Sequence, residues 1–260
     1  MEIKSKSISI KTIVQVSLLI ALALVVRSLS YMVYFGGAPG MRVGFSGVFT
    51  KIVAILFGPF FGGTASGIVD ILGFIMKPEG AYILPLTITA VLGGVTTGVL
   101  WKLTRNLELI KFKRFFLIFT VIVGALGIVN HVFISFMPDS DWTLIINKLG
   151  KYKDFASIGL EVISGIGLMF FITDIIFKKV SGKSNNNNDV LKVVLTTGLS
   201  GILVTTLNTF ILRIFIPVLG KKGFIIFWVP RVIEEIIMTV IQAYIISLLI
   251  TIYKKNISPK

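Results

Sequence analysis

The chain has 260 residues, 55% of them hydrophobic and 15% charged, with a mean hydropathy of +0.93 and a formal net charge of +14. That composition belongs to a polytopic membrane protein and excludes an ordinary soluble domain, since no stretch is long and polar enough to form one. There is no cysteine and a single histidine, His131, which excludes disulfides, thiolate catalysis and cysteine- or histidine-rich metal sites. The positive charge suits a membrane protein better than a nucleic-acid binder, because lysines and arginines cluster at the ends of apolar runs.

Eight spans are predicted in chain order. The basic stretch Met1–Lys11 lacks a small-residue cleavage site after the apolar run that follows, so the first span is read as a retained helix over Ile13–Tyr34, with Arg27 in its distal half. The second and third, Ser46–Phe60 and Gly62–Met76, are separated by Gly58-Pro59. Each is about 15 residues, short of the ~20 needed to cross perpendicular to the bilayer. Either neighbours bury this pair or it is one long broken helix. The fourth is Ala81–Leu103, the fifth Phe115–Phe136 and the sixth Phe155–Phe177. The linker Ser181–Asp189 (SGKSNNNND) is polar, low in complexity and predicted to be a flexible loop. The seventh and eighth, Val190–Val218 and Phe224–Tyr253, exceed a bilayer's thickness. The fold expected is therefore all-α, a single polytopic bundle over residues 1–260.

With an even number of spans both termini share a side. That side gathers Lys4, Lys6 and Lys11, the cluster from Lys102 and Arg105 to Lys113 and Arg114, and the C-terminal Lys254, Lys255 and Lys260. Both termini are accordingly predicted to be cytoplasmic. The outer loops are then Gly36–Gly44, Lys77–Tyr82, Pro138–Asp154 and Pro217–Gly223. A weak internal echo, Val129-Asn130-His131 against Leu207-Asn208-Thr209, is no stronger than chance similarity between apolar helices.

Several motifs in order resemble a known family. Arg42-x-x-Phe45 is followed by Phe57-Gly58-Pro59-x-x-Gly62, Gly67-x-x-Asp70-x-x-Gly73 and Pro78-x-Gly80-x-Tyr82. Thr87-x-x-Ala90 with Gly94 comes next, and Asn208-Thr209, Pro230-Arg231-x-Ile233 and Gln242 complete the series. Together they resemble the substrate-binding S component of energy-coupling-factor (ECF) vitamin transporters, in particular the folate-specific subfamily. The resemblance covers Ile13–Leu103 and Val190–Tyr253. It implies a six-helix core, to which this chain adds a helical pair over about 104–189. It also implies a non-enzymatic subunit of a multi-pass transporter in the cell membrane, which binds a vitamin, most plausibly folate or a related pterin. Partner subunits would be a membrane coupling protein and ATP-binding cassette ATPases. No cofactor is expected in the chain itself, which has no G-x-x-x-x-G-K-[ST] phosphate loop. The family often has a basic or amide residue where this chain has Glu234-Glu235, which leaves the vitamin's identity open. Two other classes stand beside this one. An intramembrane enzyme on lipid or prenyl substrates would have to use Glu234-Glu235 with Arg231; a stand-alone secondary transporter would lack the ATPase partners.

The candidate site residues follow from chemistry. An ionisable residue inside an apolar helix is costly and is a functional hypothesis by default. Asp70 is either an acceptor for a ligand's amino or amide groups or a partner for a neighbouring helix, through Lys51 for example. Arg42 is a fork suited to a ligand carboxylate or an interfacial anchor, and Phe45 is a stacking ring or a lipid-facing one. Arg231 and Glu234 lie three apart on one helical face and form either an internal pair or the readers of a ligand's acid and donor nitrogens; Glu161 is a further carboxylate of that kind. Tyr82 and Trp228 flank this region, Trp142 is an expected belt aromatic, and His131 is more plausibly structural. On the first helix Ser17-x-x-x-Ala21 is a small-x-x-x-small face. It serves either packing inside the bundle or, by the resemblance, docking on the coupling subunit.

Overall fold

The computed structural model describes residues 9–35, 37–147, 158–180, 190–221 and 223–256. The predicted loop Ser181–Asp189, the lysines at 4, 6 and 260, and part of the loop over 138–154 lie outside the described residues. In chain order the elements are α1 (Ile10–Ser28), β1 (Tyr31–Phe35), β2 (Ala38–Val43), α2 (Ser46–Phe57), α3 (Pro59–Met76) and α4 (Leu84–Thr104). There follow α5 (Leu109–Phe136), α6 (Asp141–Asn147), α7 (Ile158–Val180), α8 (Val190–Phe215), α9 (Pro217–Gly220) and α10 (Phe224–Asn256). The chain is a mostly helical membrane protein. Six helices among the described residues are long and apolar enough to cross a bilayer: Ile10–Ser28, Pro59–Met76, Leu84–Thr104, Lys113–Phe136, Val190–Phe215 and Phe227–Tyr253. Ser46–Phe57 and Ile158–Met169 are apolar but shorter. Among the described residues, six of the eight expected spans meet the length and composition of a membrane-crossing helix.

The expectation of an all-α chain is corrected at the first outer loop. The helix predicted to run to Tyr34 stops at Ser28, and Tyr31–Phe35 pairs with Ala38–Val43 as an antiparallel hairpin. Tyr31-Met-Val-Tyr-Phe35 alternates bulky and aromatic residues that suit a pleated strand, and Gly37, at φ 82°, supplies a turn conformation that L side chains avoid. The register runs from Tyr31 opposite Val43 to Phe35 opposite Ala38 and shifts between Val33 and Tyr34. The shift leaves Gly40 without a cross-strand partner, beside Pro39, which has no N–H to give a ladder.

The chain divides into two units, 1–106 with 192–260, and 107–191. In the first, Gly58 breaks the long apolar run: its φ of 93° and ψ of 179° end α2 and start α3, with Pro59 at the first helical position. At 1.5 Å per residue the 12-residue α2 is only about 18 Å long. Helices α3 and α4 approach through glycines. A Cβ placed on Gly62 would lie 2.5 Å from the Ala54 Cβ and 2.8 Å from the Gly94 carbonyl oxygen, so nothing larger fits. Val16, Val53 and Ala65 form the apolar centre between α1, α2 and α3. The end of α4 meets the start of α8, where the Thr104 and Thr196 hydroxyls are 3.2 Å apart and Lys192 donates to the Arg105 carbonyl at 3.0 Å. At the same end the Tyr253 hydroxyl donates to Gln15. The hairpin belongs to the opposite end: Ala38 packs with Leu212, Leu219 and Phe227, and the Phe35 ring meets Phe227 edge-on at 5.2 Å.

In the second unit α5 packs on α7 through small residues, with Gly124 against Ser164 and Gly167 against Thr120. The Ser164 hydroxyl donates to the Thr120 carbonyl, and His131 Nδ1 lies 3.0 Å from Glu161 Oε1. Trp142 donates from its indole nitrogen to Asn130.

Candidate functional site

The first unit holds two adjoining cavities. The larger, about 610 Å³, is bounded by the hairpin, the segment over 79–83, and the hairpin-side halves of α3, α4, α8 and α10. The smaller, about 250 Å³, is lined by α2, α3, α4, α8 and α10 and is rich in hydroxyl and charged groups, including Thr50, Lys51, Ser66, Thr97, Ser200 and Gln242. Arg27, Arg42, Asp70, Glu234 and Glu235 line both.

A carboxylate in a membrane helix needs partners, and the structure supplies them one helix at a time. Asp70 on α3 accepts from the Arg27 guanidinium at 3.1 Å and from the Thr87 hydroxyl at 2.7 Å. Thr87 in turn lies 2.7 Å from the Tyr82 hydroxyl, and the Tyr82 ring sits against Phe74 with centroids 5.0 Å apart. Three helices and a loop are thereby tied to one carboxylate. The partner expected for Asp70, Lys51, is elsewhere. It donates to Gln242 Oε1 at 2.9 Å and pairs with Glu235 at 3.6 Å, joining α2 to α10. The reason is placement: Arg27 comes off the last turn of α1 beside α3, whereas Lys51 is in mid-α2 beside α10.

Arg42 is not an open fork. Its Nε and Nη2 both donate to Glu79 Oε2, at 3.1 and 2.8 Å, and Lys77 pairs with the other Glu79 oxygen at 3.5 Å. Lys77 also donates to the Ser30 carbonyl at 2.6 Å. These bonds fasten β2 and the end of α1 to the segment after α3, and Arg42 and Glu79 both line the larger cavity. Arg231 on α10 completes the fastening. It donates to the carbonyl of Gly40, the residue that the register shift leaves without a cross-strand partner, and its guanidinium lies 5.1 Å from the Phe227 ring centroid. Of the two alternatives for Arg231 and Glu234, the bonded internal pair does not form among the described residues, although the two charges attract at longer range. Glu234 accepts no hydrogen bond from any of them and faces the cavities instead.

The structure thus brings Arg42, Asp70, Tyr82, Arg231 and Glu234 to one cavity. Phe45 is the exception. It stands between Gly44 and Ser46, which line the smaller cavity, but its own ring is half exposed and lines neither. Trp228 also lies outside both: its indole donates to the Thr206 hydroxyl and stacks in a row with Phe224 and Phe210. Ser17 and Ala21 are exposed on α1, in a face with Val14, Leu18 and Val25, so they do not pack inside the unit.

Sequence reasoning did not assign Arg27, Glu79 or Thr87 to the site. Arg27 was detectable. A cation and an acid, each alone in an apolar run, satisfy one another most cheaply by pairing. Thr87 and Glu79 carry no such signal, since a hydroxyl in a helix and an acid in a loop are ordinary. Among the described residues no group of three or more acidic or histidine side chains is placed to hold a metal ion.

A family model described as "ECF transporter, substrate-specific component" matches residues 11–158, more than half of the chain. The folate transporter FolT of Clostridium novyi (strain NT) is 28% identical over 108 residues, covering 42% of this chain and 56% of that protein. The chain therefore matches little more than half the length of this curated relative.

Proposed function

Because the chain belongs to the substrate-specific component family of ECF transporters, we propose that it is the subunit that captures a vitamin, folate or a related pterin, for uptake. It is a multi-pass cell-membrane transporter component and not an enzyme. The observation that carries the ligand-binding reading is the larger cavity. At about 610 Å³ it falls in the range of small-molecule sites, roughly 300–1,000 Å³, and a hairpin held by side-chain bonds covers it. Phe74 and Tyr82 offer aromatic surface for a flat ring, Arg231 a guanidinium and Glu234 a carboxylate. The folate choice is supported by the relative's name and by the motif order. Arg42 acts here as a clasp on the cover, through Glu79, rather than as a direct reader of the ligand.

In this reading the hairpin end faces outward and both termini are cytoplasmic. ATP is used by partner ATPases, and the exposed Ser17–Ala21 face of α1 docks on a membrane coupling subunit. The segment 107–191 is an addition to the six-helix ligand-binding unit formed by α1–α4, α8 and α10.

The direct test is mass spectrometry of the small molecules that copurify with the protein from cells grown on rich medium. A folate at near one per chain is expected. An empty protein whose melting temperature no vitamin in a panel raises would overturn the binding-subunit reading. Arg231→Ala is expected to weaken vitamin binding by more than about tenfold, because it removes both a cavity cation and the bond to Gly40.

A further inference from the structure

Resting on the reading of the cavity as a vitamin site, we propose that Glu234 reads the ligand's head group, and that this head group presents two adjacent N–H donors on one edge, as a 2-aminopyrimidin-4-one ring does.

The argument is an accounting of charge. Four cations and four anions line the two cavities: Arg27, Arg42, Lys51 and Arg231 against Asp70, Glu79, Glu234 and Glu235. Three pairs close among themselves, Arg27 with Asp70, Arg42 with Glu79, and Lys51 with Glu235. Arg231 gives its Nη1 proton to a backbone carbonyl and stands over an aromatic ring. That leaves Glu234. Neighbouring Glu235 receives Lys51 and, at 3.4 Å each, the hydroxyls of Thr205 and Thr239. Glu234 accepts no hydrogen bond from the described residues, although it borders both cavities.

A carboxylate held in a membrane-embedded cavity without a donor is costly. A bound ligand lowers that cost if it brings N–H groups, and a planar carboxylate accepts two parallel N–H bonds in a fork. One turn away on the same face, Arg231 lies beside any acceptor next to that edge. A ligand acid at this point would instead meet the charge of Glu234 head-on. The acid-bearing end of the ligand therefore points away from Glu234, and the donor edge of its ring sits at the junction of the cavities. A site that bonds a specific N–H rejects an analogue lacking it, because the site's own polar group is then left unpaired.

The test uses two probes that differ at this edge alone, folic acid and its 2-deamino-2-hydroxy analogue, with a 2,4-dioxo ring. Both are titrated into the purified full-length protein and into Glu234→Gln. The wild type is expected to prefer folic acid by about tenfold or more, and Glu234→Gln to reduce that preference to less than roughly threefold while keeping its melting temperature. A wild type that binds both probes equally overturns the proposal whatever the variant does. So does a folded Glu234→Gln protein that keeps the full preference. In both of those cases folic acid still binds and the vitamin-site reading stands. Failure of the wild type to bind folic acid at all overturns the folate reading, and this proposal with it.

Discussion

The Arg27–Asp70 pair supports the sharpest stability prediction, tested by Arg27→Met, Asp70→Asn and the double variant. The charged atoms are 3.1 Å apart, and the side chains are only 12% and 22% exposed. At an effective dielectric constant of about 20, the gross attraction at that distance is about 5 kcal/mol. Desolvation of two ions offsets most of it, and a hydrogen bond to a charged group retains about 1.5–3 kcal/mol net. Each single change leaves a charge without its counter-ion inside the bundle. Arg27→Met leaves Asp70 with Thr87 alone; Asp70→Asn leaves Arg27 with no acid at hydrogen-bond distance. Each should cost about 3 kcal/mol. The double variant removes both charges and should recover much of the loss, giving a coupling of about 2 kcal/mol, a roughly 30-fold change in the folded-to-unfolded ratio. Denaturation of ligand-free protein in detergent micelles, with all four proteins on one titration series, measures this. A coupling below about 0.5 kcal/mol, within the range where independent sites add, would refute the claim that the two residues form one buried unit.

Four other outcomes follow from the packing. Gly94→Val should destabilise the protein by about 1–3 kcal/mol, because its Cβ would lie 2.5 Å from the Gly62 carbonyl carbon and 2.7 Å from the Ser66 hydroxyl. Gly165→Ala, with no atom within 4 Å of the added Cβ, should be neutral or stabilising by up to about 1 kcal/mol; thermal melting compares the two. Ser17→Leu should leave vitamin binding unchanged and reduce cellular uptake, since Ser17 is exposed and remote from both cavities. Unchanged uptake would count against that docking face. Replacing residues 107–189 by a short glycine–serine linker should preserve vitamin binding, because Arg105 and Lys192 are already bonded to each other. Loss of binding in a protein that still melts cooperatively would show that the segment contributes to the site.

The sequence alone determined what composition and periodicity can carry: a membrane chain, the order and approximate place of its apolar helices, the break at Gly58, and ionisable residues such as Asp70 and Arg231 inside apolar runs. These are local signals, since hydropathy follows from the solvent and a Gly-Pro break from backbone sterics. The motif order added the family. What the sequence left open is pairing. Asp70 was matched with Lys51 or a ligand, Arg231 had two glutamates on its own helix, and Arg42 was either a ligand fork or an interfacial anchor. Coulomb attraction has no memory of sequence distance, so only the helix arrangement decided that Arg27 takes Asp70, Lys51 takes Glu235 and Glu79 takes Arg42. The hairpin was hidden for a related reason. A strand of bulky apolar residues after an apolar helix reads as more of the same helix, and only pairing with Ala38–Val43 distinguishes it. The tertiary structure also separated Phe45 from the cavity and left Glu234 without a hydrogen-bond donor among the described residues, because which way a side chain faces depends on the neighbours that surround its element.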